Sequence, residues 1–91
     1  MQALDAGSEE VFTFPMLHDF KAMGPADLKF LETVVATVAA LAPVEHQSVS
    51  HKASGKARWW SVTVPAHIES RAQLVAVYAA LKALPEVKWT L

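Results

Sequence analysis

With 91 residues a single domain is expected, and the absence of cysteine excludes a disulfide framework, a thiolate zinc site and a cysteine nucleophile. A net charge of −1 argues against a generic nucleic-acid binder, which carries a basic excess, and 53% apolar residues argue against a disordered chain. No apolar run approaches the ~20 residues of a membrane span, and the opening MQALDAGSEE lacks the order of a signal peptide, so the chain reads as cytoplasmic.

Residues 1–12 show no period and carry Gly7, Ser8, Glu9 and Glu10. They are predicted to form a mobile tail, leaving 13–91 as the domain. Leu17 to Met23 alternates and stops at Gly24-Pro25. That pattern predicts a strand with Phe20 and Ala22 on one face and Asp19, Lys21 and Met23 on the other. The following segment, GPADLKFLETVVATVAALAP, shifts to helical spacing. Pro25 is expected at the first helical position and Asp27 in the first turn. Leu28, Leu31, Val35, Val38 and Leu41–Ala42 form the predicted apolar stripe, which Pro43 ends.

VEHQSVSHK alternates weakly and is predicted to be an edge strand, with ASGK as the turn. ARWWSVTVPAHI is the strongest strand of the chain. Arg58, Trp60, Val62, Val64, Ala66 and Ile68 define its apolar face, and Trp59, Ser61, Thr63, Pro65 and His67 the other. Pro65 lacks an N–H, so the ladder is expected to be lost or bulged there. Ser70 with Gln73 suggests a capping box for a second helix. Its stripe is Leu74, Val77, Tyr78, Leu81 and Leu84, and Pro85 stops it. EVKWTL closes as a short strand, with Val87, Trp89 and Leu91 placed on one face.

The order β-α-β-β-α-β, with one apolar stripe per helix, predicts an α+β ferredoxin-like sandwich. Its four-stranded antiparallel sheet carries both helices on one face, and right-handed crossovers put the first and third strands at the centre.

FPMLHDFKAMG, the Ser-rich strand, SGKARWWSVTV, ESRAQL and VYAALKALPEVKWTL occur here in an order and spacing that resemble the YbeD-like family of small bacterial proteins of unknown function. The likeness covers about Phe12 to Leu91. Trp59, where the family usually has a tyrosine, and Pro65 depart from its pattern. The resemblance implies a fold similar to the ACT domain, a ferredoxin-like module that senses small molecules. By analogy of fold it implies a regulatory or binding role.

The residues themselves offer little chemistry. His18, His46, His51 and His67 lack any H-x-x-x-H or H-E-x-x-H spacing, and surface histidines account for them better than a metal site. No nucleophile elbow or glycine-rich phosphate cradle is present, and Glu9 and Glu10 fall in the tail, so no enzyme activity and no cofactor are expected. The candidate working surface is the helix-free sheet face with Lys21, Met23, Trp59, Ser61, Thr63 and His67, because a large exposed aromatic there calls for a cover. Lys52, Lys56 and Arg58, with His51, form a basic cluster for an anion or acidic partner. Lysines that block edge-to-edge strand pairing explain the same cluster.

The expected function is a non-enzymatic ACT-like regulatory or protein-interaction module. It would bind an unknown protein partner or a small regulatory ligand, the latter near the Gly24 loop, with weak self-association through the open face. The alternative, from a different class, is a single-stranded nucleic-acid binder that stacks bases on that face. The charge balance makes nucleic acid the weaker reading.

Overall fold

The computed structural model describes residues 13–56 and 58–90. Its elements are β1 (Met16–Pro25), α1 (Leu28–Ala39), a 3-10 turn (His46–Ser48), β2 (Ser50–Ser54), β3 (Trp59–Ile68), α2 (Arg71–Lys82) and β4 (Trp89–Thr90). The sheet order is β2-β3-β1-β4, antiparallel throughout, with β1 and β3 central as the crossover rule requires. Phe30, Val34 and Val38 of α1 and Leu74, Val77 and Leu81 of α2 join one core with Phe20, Ala22, Val62, Val64, Ala66 and Ile68. Both helices therefore cover the same sheet face, and the fold is ferredoxin-like. The expected tail, and the placement of Leu91, lie outside the described residues.

Several local expectations are corrected. Pro25 ends β1, and Asp27 is the N-cap of α1: its Oδ1 accepts from Phe30 N at 2.7 Å. The buried stripe of α1 is Phe30, Val34 and Val38, and Ala42 is buried just beyond the helix. Leu31 and Val35 flank it, while Leu28 is 64% exposed and Leu41 is exposed as well. At α2 the Ser70 hydroxyl accepts from Gln73 N, as expected. Gln73 Oε1 accepts from Glu69 N, one residue before the usual capping-box donor, and its Nε2 donates to Leu41 O. One side chain thus ties the start of α2 to the end of α1.

The edge strand begins later than its weak alternation suggests. Residues 46–48 wind into the 3-10 turn, which separates an isolated bridge to β3 at Val44↔Ala66 from the ladder that starts at Ser50. Nor does Pro65 break the ladder, because β1 and β3 stay in register from Met16↔Ile68 to Pro25↔Trp59. The Pro65 carbonyl accepts from Glu45 N, so the proline nitrogen also faces the β2 side. On that side the continuous ladder ends at Ser50↔Thr63, with the Val44↔Ala66 bridge beyond it, so the missing N–H falls where the β2 ladder is already lost.

Candidate functional site

The pairing register lays out the helix-free face row by row. Met23 of β1 stands opposite Ser61 of β3 and opposite Trp89 of β4, and Ser61 stands opposite Lys52 of β2. One row across all four strands therefore reads Lys52, Ser61, Met23, Trp89. The next row reads Ser50, Thr63, Lys21, and Lys21 Nζ donates to Thr63 Oγ1 at 3.1 Å. On the other side of the main row, Trp59 stands between Ser54 and Pro25. Lys21, Met23, Trp59, Ser61 and Thr63 thus come together as the alternation implies.

His67 shares the face but not the neighbourhood. It pairs with Leu17 at the opposite end of β3, and its Nε2 meets Glu45 Oε2 at 2.6 Å. The basic cluster is likewise divided. Lys52 is on the open face, Lys56 and Arg58 belong to the hairpin turn, and His51 opposes Val62 on the helix side.

The adjacent tryptophans do point to opposite faces, and neither is fully buried. Trp60 packs against the helix-side core, and His51 stacks on it with centroids 3.9 Å apart and planes at 22°. Trp59 lies on the open side under its own chain. Lys88 Nζ sits 5.1 Å from its ring centroid. Gly55, at φ +59°, lies so close that an added Cβ would stand 2.7 Å from Trp59 Cδ1. That turn needs glycine for its backbone angle and for the space the indole takes.

The aromatic that sequence reasoning missed is Trp89, 55% exposed beside Met23, Ser61 and Lys21. Strict alternation from Val87 had put both residues on one face. Val87 instead closes a turn, its N–H donating to Leu84 O, and packs against the core before the strand starts. The exposed tryptophan of the open face is therefore on β4.

Beside Gly24, the ring of Phe30 and the Glu86 carbonyl fill the space, an added Cβ standing 2.9 Å from that oxygen. On the helix side His18 Nε2 and the Tyr78 hydroxyl are 2.7 Å apart, and both rings pack edge-on against Phe20. Burial lowers the His18 pKa from 6.5, with the Asp19 carboxylate pulling it back, and burial raises that of Tyr78. Among the described residues no three histidine, aspartate or glutamate side chains converge on a metal-sized site, and no helix is long and apolar enough to cross a membrane.

An antiparallel sheet with both helices on one side defines an α+β ferredoxin-like domain whose remaining face offers a tryptophan, a methionine and lysines. Within that class, residues 9–91 match the family described as "Protein of unknown function (DUF493)". A UPF0250 protein of Xanthomonas oryzae pv. oryzae is 42% identical over 82 residues, covering 88% of each chain. A UPF0250 protein of Shewanella piezotolerans is 36% identical, covering 93% of this chain and 96% of its own. The chain belongs to this family, which is the YbeD-like one. Among solved structures, protein HP0495 from H. pylori shares the fold, with TM-score 0.67 at 18% identity over 88% of this chain and 85% of its own.

Proposed function

We propose that this protein is a non-enzymatic, cytoplasmic, ACT-like regulatory module that works by binding another protein on its helix-free sheet face. One observation carries the reading: Trp89 stands more than half exposed at the end of a row that crosses all four strands. A large exposed tryptophan beside a methionine brings together two of the residue types enriched where proteins dock.

The test is affinity capture from a bacterial lysate with the wild-type protein and Trp89→Ala in parallel, read by native mass spectrometry. A stoichiometric complex retained by the wild type and lost by the variant, with an unchanged melting curve, supports the reading. Equal retention by both, or no complex, overturns it. Sedimentation over a concentration range separates a second copy of the chain from a different partner. Single-stranded nucleic acid is the other reading, favoured by the lysines around the tryptophans and opposed by the net charge of −1.

A further inference from the structure

Charge is unevenly spread over the helix-free face. Lys52 and Lys21 lie in the two rows around Ser61 and Met23, and Lys88 reaches over Trp59. Lys21, Lys52 and Lys88 thus lie on or over one half of one face in a chain whose net charge is −1. None of the three is in an ion pair among the described residues, where the one pair is His67 with Glu45. Glu86, two positions before Lys88, is exposed and makes none either. The carboxylates associated with the face lie toward its other half, Asp19 opposite Pro65 and Glu45 against His67.

Resting on the protein-docking reading above, we infer that this half-face receives a short acidic segment of the partner, with one apolar side chain seated against Met23 and Trp89. The dimensions fit. Neighbouring strands are ~4.8 Å apart, so the row from Trp89 to Lys52 spans ~14 Å, the reach of about four extended residues. An apolar residue at the Trp89 end then sets carboxylates over Lys21 and Lys52. Cations that are not already neutralised complement such a segment and speed its encounter. The arrangement fits nucleic acid less well. A base platform stacks successive bases on several open aromatics. Here one side of Trp59 is taken by Lys88 and its pyrrole edge is crowded by Gly55, which leaves Trp89 as the one open ring on the face among the described residues.

The experiment is selection of random twelve-residue peptides displayed on phage against the full chain. Affinities are then measured for the winning peptides and for a poly-dT oligonucleotide at low and high salt. The expected winners carry two or more Asp or Glu within about four residues of an apolar side chain. Their affinity should fall about tenfold with Lys52→Glu or Lys88→Glu, and several-fold between low and high salt. Winners without acidic residues that still need Trp89 overturn the acidic partner and leave the docking face standing. Winners indifferent to Trp89→Ala and to both lysine variants, no winners, or tighter binding of poly-dT overturn both.

Discussion

On the helix side of the sheet, Phe20 and Ala22 of β1 and Val62, Val64, Ala66 and Ile68 of β3 are buried under two helices. On the other side, the alternate residues of the same strands are Lys21, Met23, Ser61 and Thr63, all part-exposed. One backbone thus serves two environments, because successive side chains leave a strand in opposite directions. The comparison teaches where selection for folding and freedom for function can separate. Substitutions on the helix face are read in stability, and substitutions on the other face should be read in binding.

The largest effect should come from Phe20→Ala. The ring is fully buried and meets both His18 and Tyr78 edge-on. Its removal leaves a cavity at the centre of the sheet and should cost ~3–5 kcal/mol, a large share of a small domain's stability. Urea denaturation measures it, and a loss below ~1 kcal/mol would mean that the core as described does not hold the fold.

The tryptophan pair sharpens the contrast within two adjacent residues. Full burial of Trp60 would have implied a loss as large as that of Phe20. Half-buried against the core and stacked on His51, Trp60→Ala should cost about 2–3 kcal/mol. Trp59→Ala gives up a cation–π contact and the packing on Gly55, for about 1 kcal/mol. If Trp59→Ala costs more than Trp60→Ala, the two faces are reversed.

These two residues also show what was legible in the sequence. Where polar and apolar residues alternate cleanly, as in β3, the face of every side chain could be read, because a one-residue slip would bury Ser61 and Thr63. The stripe of α2 was equally readable, with polar Gln73 and Lys82 bounding it. The stripe of α1 was not. Phe30, Leu31, Val34, Val35 and Val38 crowd the helix, and the sequence left two stripes available. The sheet chose Phe30 and Val34, and Gly24 makes room for the ring of Phe30. Trp89 was misplaced for a different reason: the chain leaves strand geometry at Val87, and alternation cannot be counted through a turn.

A third expectation concerns pH and belongs to the helix side. Burial holds the His18 pKa below 6.5 despite Asp19, so the unfolded chain takes up this proton at higher pH than the folded one. Its contribution to stability is complete above pH 6.5 and falls as pH drops from there through the folded pKa. Denaturation midpoints for wild type and His18→Gln on either side of that window should show a shallower pH slope in the variant. Equal slopes would mean that His18 does not titrate differently in the two states.

The smallest effect is expected from Thr63→Val, at the middle of the open face. The variant keeps the branched shape that suits a central strand and loses the hydroxyl that accepts from Lys21 Nζ. An ammonium on a face open to solvent exchanges that bond for one to water, so little desolvation is left uncompensated. Valine adds apolar surface that nothing covers, which has little effect on folding. The change in unfolding free energy should stay within about 0.5 kcal/mol of zero, measured under the same urea conditions as Phe20→Ala. A loss above ~1.5 kcal/mol would show that the Lys21–Thr63 contact holds β1 to β3, and the open face would then be part of what stabilises the sheet rather than a surface free to bind.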